Sequence, residues 1–568
     1  MHIHVVPNRG SPPTVLLRES YREGPKVLKR TLANLSSLSV AQIEAIRATL
    51  RGDALAPAAD VFEAIRSPSH GHVQAVALTL QRLGLASVVA SKSCRERDLV
   101  LAMVTARILS PHTKLATTRW WHSTTLPEEF GVVDADENDL YAAMDWLLAR
   151  QDRIQKGLAS RHLSEGALAL YDLSSSYFEG SCCPLAKLGY SRDGKSGLLQ
   201  VNYGLLSDAR GCPVAVSVYE GNVCDSKTLM PAVHKLRDDF GIEQFVLVGD
   251  RGMISSKAIA ELRQSDGVGW ITALKSVSIR ALVEQGHLQL GLFDEVNLVE
   301  LSSPQYPGER LVACRNPQLA GLRAHKRQEL LAATEIRLDK IKVRVDAGKL
   351  VGADEIGVRV GKVVNQYKVA KHFELAIEHN SFTFARKLEA IAAEAALDGI
   401  YIIRTSVPEA QMDAASCVRN YKSLAQVERA FRSLKTVDLK VRPIHHRKPD
   451  RVRAHIFLCM LAYYVEWHMR EAWRELMFAD TDQQAKATRD PVAPAKRSQA
   501  AQDKASSHSL DDGTPAHSFS TLIAELAGIV RNTCRTPNAA PEARTFEVIT
   551  TPSAAQQRAF ELLRQIQM

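Results

Sequence analysis

No stretch of this chain approaches the roughly 18–20 uninterrupted apolar residues that a membrane-spanning helix needs. The run IFLCMLAYYV is followed at once by Glu466, so no membrane partner is expected. The opening residues, MHIHVVPNRG, lack the basic-then-apolar layout of a secretory signal, which predicts a cytoplasmic chain with reduced cysteines. Its 9 cysteines include no CxxC pair and no histidine at zinc-motif spacing, an argument against structural zinc, and most are expected as core filler. The GxxxxGK[ST] spacing of a phosphate-binding P-loop is also missing. Acidic residues are in short supply: 63 against 72 basic ones leave a net charge of +9, and nucleic acid becomes the first partner to consider. What remains is ordinary for a folded protein, with 45% hydrophobic and 24% charged residues over 568 positions, enough for about three or four domains.

Hydrophobic periodicity divides the chain. Residues 1–165 read as a mainly helical N-terminal DNA-binding region: a short strand HIHVV and a helix near AQIEAIRATLR, then AVALTLQRLGL, ERDLVLAMVTARIL and DLYAAMDWLLARQDRI at 3.6-residue spacing. From 166 to 278 the pattern becomes βββ-α-β-α-β, and the continuous apolar strand FVLVG belongs in the middle of a sheet covered on both faces. Residues 279–405 break the regularity and read as an inserted domain. Residues 406–480 return to the core with the helix KSLAQVERAFRSLK, and 481–568 form a partly disordered tail rich in Ala, Ser, Asp, Lys and Pro. Trp270, Trp120 and Trp121 are read as packing residues.

Two aspartates each end an apolar strand, Asp172 after ALALY and Asp250 after FVLVG. Strand carboxyl ends are where open α/β sheets bind ligands, and two carboxylates converging there repel unless a hard divalent cation joins them. Either Asp alone is equally at home as a helix cap or turn former. On the later helix, Val427, Phe431 and Leu434 follow Leu424 along a buried stripe, while Tyr421, Glu428 and Lys435 are each seven residues apart on the ridge beside it, with Arg432 near. Such a face can carry a carboxylate to the strand ends and cations to phosphates, or it can be a solvated face with Glu428 paired to Arg432. Thr436 to Arg453 is strongly basic, with Arg442, Arg447 and Lys448 read as DNA-backbone contacts and His445 and His446 as phosphate neighbours or turn residues. The loop LGYSRDGKSGLLQ, with Lys187, Arg192 and Lys195, is either a DNA contact or a solvated hairpin.

The segments LYDLSSSYFEG, FVLVGDRG, YKSLAQVERAFRSLK and RPIHHRKPDRVRAHIFLCMLAYY resemble the DDE transposases of bacterial insertion sequences. The resemblance covers about 166–278 and 400–470. It implies an α/β fold: an RNase-H-like mixed-sheet core interrupted by an inserted β-rich domain, with a helical N-terminal domain. The family's Tyr, Arg, Glu, Lys helix signature falls on Tyr421, Leu424, Glu428 and Lys435, so Leu occupies the Arg position and Arg432, one turn past Glu428, is the substitute. Asp250 follows Asp172 by 78 positions and Glu428 follows Asp250 by 178, spacing that accommodates the insertion.

The resemblance further implies catalysis by Asp172, Asp250 and Glu428 on two Mg²⁺ ions, with Mn²⁺ as substitute. Asp172 would bridge both ions, and water or a DNA 3′-OH would be the nucleophile. Tyr421, Arg432 and Lys435 would position flanking phosphates. The implied partners are the terminal inverted repeats of the element, target DNA and a second copy of the chain in a synaptic homodimer. A nuclease of the same fold without strand transfer, or a non-catalytic DNA-binding relic, are the alternatives.

Overall fold

Residues 1–53, 62–180, 182–293, 295–537 and 544–567 are described by the structure, a computed structural model. Parts of the expected front region (54–61) and tail (538–543 and 568) lie outside these residues. The chain divides into two compact units, Met1–Ser69 with Ile529–Thr551, and His70–Gly528 with Pro552–Met568. No helix among the described residues is long and apolar enough to cross a membrane.

The first unit has the expected strand HIHVV and the expected helix after it, and adds strands between them. Strands β1 (His2–Val6), β2 (Thr14–Glu23) and β3 (Lys26–Asn34) form an antiparallel sheet. β3 is exposed along its whole length, and charged residues fall on both faces of β2 and β3. The apolar alternation left by a half-buried strand is therefore missing. Helix α1 (Val40–Arg51) follows, closed by a reciprocal cap between Ser39 and Gln42. Strand β4 (Glu63–Arg66) completes this part.

Helices begin in earnest with the second unit: α2 (Gly71–Arg82), α3 (Arg95–Leu109), α4 (Glu137–Leu148) and α5 (Gln151–His162). α3 is buried on every side from Leu99 to Ile108, as a helix apolar all round must be. Strands β5 (Ala167–Tyr177), β6 (Lys187–Leu188), β7 (Leu199–Ser207) and β8 (Pro213–Glu220) follow, with β5, β7 and β8 in an antiparallel meander. β9 (Phe245–Val248) and β10 (Val268–Ala273) then add in parallel beyond β5. The resulting order β8-β7-β5-β9-β10 is the expected RNase-H-like core. Gln151 and Gln155 of α5 donate to the Val216 carbonyl at 2.9 and 3.0 Å, tying the helical layer to β8.

The inserted stretch differs from its expected form. β11 (Leu298–Leu301), β12 (Arg310–Arg315) and, after a long excursion, β15 (Ile400–Thr405) do not build a separate sheet. They extend the core beyond β10 into a 9-stranded sheet. The physical reason is that β10 would otherwise present an unpaired edge, which pairing with β15 removes. The excursion is mostly helical: α6 (Pro317–Asp346) and α7 (Ala353–Gln366) pack with a hairpin of β13 (Phe373–Ile377) and β14 (Phe382–Arg386) around a core of Leu331, Leu338, Ile356, Val360, Phe373 and Phe382.

Helices α8 (Ala414–Lys422), α9 (Leu424–Arg432) and α10 (Pro449–Ala472) return to the core, with a π-helical turn at Ser433–Val437 between the last two. α10 is buried from Ala454 to Met469 and packs against α3, α4 and β8. Over its described residues the tail carries the two helices that its closing apolar patterns, FSTLIAELAGIVRN and AAQQRAFELLRQ, predict. α11 (Phe519–Ala527) and α12 (Ala554–Arg564) both pack on α2, and the buried Trp473 indole donates to the Ala559 carbonyl at 2.9 Å. Between them, β16 (Arg531–Arg535) and β17 (Phe546–Ile549) join β4 in the first unit. The polar composition cannot fold alone, but Phe519, Leu522, Phe560 and Leu563 give it apolar faces to dock.

β5 and β7 approach unusually closely where Gly204 faces Leu173: a Cβ on Gly204 would stand 2.2 Å from the Tyr171 hydroxyl oxygen. Gly204→Ala is therefore expected to lower stability by about 1–3 kcal/mol, read as a reduced urea midpoint at unchanged m-value.

Candidate active site

The period-two geometry of β5 decides where its acid points. Ala169, Tyr171 and Leu173 enter the core formed with the helices that follow β8 and β9, so Asp172 faces the opposite side, over which α9 packs. In the parallel pairing of β5 with β9, Leu170 lies opposite Val248. Asp172 and Asp250 therefore both stand beyond the last paired residues at the same end of this strand pair, Asp250 in the loop that follows β9. Asp250 is exposed and ends the strand in a tight loop, its Oδ1 accepting the Gly252 and Met253 amides at 2.5 and 3.0 Å. The Leu173 amide donates to Asp172 Oδ1 at 2.8 Å.

α9 supplies the third carboxylate. Leu424, Val427, Ala430 and Phe431 form its buried stripe, and Phe431 meets the Tyr203 ring edge-on at 5.8 Å between centroids. Glu428 stays exposed beside that stripe. The Ser423 backbone remains helical (φ −65°, ψ −15°), so Tyr421 keeps its place on the Glu428 ridge despite the break between α8 and α9. The three acids lie within electrostatic reach of one another. Burial pushes the Asp172 carboxyl up to about 7; the charges of Asp250 and Glu428 add to this, while the Leu173 amide and Arg192 oppose it. Burial, together with the Asp250, Glu428 and Asp172 charges, pushes the Tyr421 hydroxyl up to about 12 against the opposing Arg251.

The cations divide into two groups. Lys435 is buried, because the wider π turn carries it off the exposed Glu428 ridge and into the protein. There it donates to Asp193 Oδ1 at 3.0 Å, and Arg442 pairs with the same oxygen. The sequence points both at DNA phosphates, whereas in the structure their charge is directed at an aspartate whose side chain is 1% exposed. Arg432, Arg447 and Lys448 are exposed. The segment leading to Arg447 is tied to the end of β5, with the Glu179 amide donating to the Ile444 carbonyl at 2.9 Å. His446 is largely buried and held down to about 4, by burial first and then by Lys114 and Arg107, so at neutral pH it is uncharged. Trp270 and Trp121 are buried packing residues.

Sequence reasoning passed over Asp193. Its loop drew notice for Lys187, Arg192 and Lys195, yet the acid organises it: Asp193 gathers Lys435 and Arg442 while Arg192 pairs with Asp225. The Arg192 amide also donates to Ser175 of β5 at 3.1 Å, placing the loop beside the carboxylates. A lone acid inside a basic loop was the available signal. Arg251, directly after Asp250, was likewise missed.

Comparison with known proteins bears on these residues. Residues 184–465 match the family model described as "Transposase DDE domain", and residues 3–59 match "IS1634 family transposase, N-terminal domain". Asp250 and Glu428 lie within the first match, and Asp172 lies just before it. Among solved structures, a cryo-EM structure of the piggyBac transposase synaptic complex with hairpin DNA is similar at 8% identity and a TM-score of 0.35, covering 80% of this chain and 79% of that one. No curated protein matches the chain.

The elevated Asp172 carboxyl has a direct consequence for stability. Its usual value is 3.8 and its folded value about 7, so between these the folded chain holds a proton that the unfolded chain has released. Stability must fall as pH rises through that interval. Without divalent ions, Asp172→Asn is expected to melt higher than the parent at pH 8, by an amount on the order of 3 kcal/mol, with the advantage shrinking toward pH 4. Thermal melts across pH check this, and added Mg²⁺ is expected to stabilise the parent but not the variant.

Proposed function

The chain belongs to the DDE transposases of insertion sequences, and from that premise we propose that Asp172, Asp250 and Glu428 are its catalytic triad for cutting element ends and joining them to target DNA. The observation that carries this reading is that three carboxylates lie within electrostatic reach at one end of the sheet, one on β5, one in the loop after its parallel neighbour β9 and one on the helix packed against β5.

DDE transposase domains use divalent metal ions. The donor set fits: three hard oxygen ligands, one of them raised by burial and like charge, is an arrangement that a divalent cation stabilises. Asp172 would contact two Mg²⁺ ions, with Asp250 and Glu428 each holding one. When bound, the ions would activate water or a 3′-OH and stabilise the leaving oxygen. The chain's own residues do the positioning. Tyr421, on the Glu428 ridge, would orient the scissile strand through its hydroxyl, which stays protonated at neutral pH. Arg432, Arg447 and Lys448 would hold flanking phosphates, while Lys435 and Arg442 fix the Asp193 loop beside the site.

End recognition falls to the region before 166. In its first unit, the exposed strand β3 carries Lys26, Lys29 and Arg30, and Arg22 lies on the exposed end of β2, basic side chains on both faces of the hairpin that suit a DNA backbone. The functional assembly would be a homodimer holding two ends.

Purified protein with DNA carrying its own element ends, followed on a sequencing gel, tests the triad. Asp172→Asn, Asp250→Asn and Glu428→Gln are each expected to lower cleavage more than about 100-fold while end binding persists. Substantial nicking by any one of them removes that residue from the triad.

The two classes of cation separate in the same system. Arg447→Ala is expected to reduce the salt slope of DNA binding by about one unit without loss of stability. Lys435→Ala should instead lower the melting temperature, leaving buried Asp193 short of a partner, and leave the salt slope unchanged.

A further inference from the structure

Apart from the three carboxylates, His162 at the end of α5, Cys212 in the turn between β7 and β8, and His468 on α10 meet at one point. Their ligand atoms all lie within 4.8 Å of one another, and among the described residues this is the group with metal-ligand geometry. Cys212 Sγ is 3.9 Å from His162 Nε2 and 3.8 Å from His468 Nε2. A tetrahedral zinc with Zn–S of about 2.3 Å and Zn–N of about 2.0 Å requires N···S separations of roughly 3.5 Å. The two sulfur contacts are thus within a few tenths of an ångström of closing.

The surroundings match a metal site as well. Asp208 Oδ2 lies 3.9 Å from His162 Nδ1, the side away from the sulfur, where a carboxylate typically orients a ligating imidazole. The same aspartate shapes the turn that presents the thiol, its Oδ1 accepting the Arg210 and Cys212 amides, each at 2.9 Å. Gly211, with φ +86°, supplies the left-handed step. Burial keeps both imidazoles uncharged at neutral pH, holding His468 down to about 3. The group borders a cavity of about 460 Å³, lined by Arg161, Arg210, Glu471 and Gln565, which leaves room for a water as fourth ligand. Arg210 is held by Asp208 at 3.0 Å and lies over the Trp467 ring, so its charge is already matched.

We propose that His162, Cys212 and His468 bind one Zn²⁺ ion, which clamps α5, the β7–β8 turn and α10 together on the side of the sheet carrying β8. Thiolate and imidazole select zinc over the Mg²⁺ expected at the carboxylates. Binding converts the Cys212 thiol to thiolate and releases its proton to solvent. The ligands are separated by 50 and 256 positions, which is why no local cysteine motif announces them.

The test uses the full chain, stripped with chelator and titrated with Co²⁺. One equivalent is expected to produce an intense thiolate-to-cobalt charge-transfer band that Zn²⁺ abolishes and Mg²⁺ does not. Cys212→Ser should lose the band and more than about 100-fold in Co²⁺ affinity, whereas Cys183→Ser and Asp172→Asn should keep both. Absence of the band from the parent overturns the proposal without reference to any variant, as does its persistence in Cys212→Ser. A band lost in Asp172→Asn would place the metal at the carboxylates and equally overturn it.

Discussion

The constraint on which the rest of the structure depends is the placement of like charges side by side at the end of a parallel strand pair. Asp172 and Asp250 stand at the same end of the sheet because β5 and β9 pair in parallel, and α9, packed on β5, brings Glu428 within electrostatic reach of Asp172. A half-buried carboxyl raised to about 7 is a standing cost, tolerated because strand pairing, the β5 core face and the α9 stripe over-determine its position.

Around that cluster the protein manages its cations by pairing them. Asp193 draws Lys435 and Arg442 inward, and Asp225 holds Arg192 near the same loop. The π turn after α9 makes this arrangement possible. It is locked to α10 by Ser433, which donates to Glu466 at 2.9 Å, while Arg470 bridges Glu466 and Asp438 at 2.6 and 2.9 Å. The basic segment is therefore partly internal scaffolding and partly exposed surface, and only its exposed members, with Arg432, are free to meet a phosphate backbone.

The insertion serves the core in the same economical way. Its strands β12 and β15 carry the sheet past β10, and Arg404 on β15 is bound by the buried Glu309 next to β12 at 2.5 Å. Its helices α6 and α7 keep a separate core. The chain between the second and third acids thus lengthens the sheet that presents them and adds a helical projection to it.

Much of this was legible in the amino-acid order. Continuous apolar strands such as FVLVG require a covered sheet, an acid at each strand end marks the ligand side, and the Leu424, Val427, Phe431 stripe fixes which face of α9 is buried and hence where Glu428 stands. These readings work because strand and helix periods are local. Partnership across the chain is not. No local pattern says that β15 pairs with β10, that the tail helices dock on α2, that Lys435 turns inward to Asp193, or that His162, Cys212 and His468 meet. Of the first sheet only HIHVV shows in the sequence, because β2 and β3 bury too little of either face to leave an alternation. Periodicity records which face of an element is buried, whereas only the folded chain decides against what, since that choice depends on unpaired edges, apolar faces and charges brought together from distant positions.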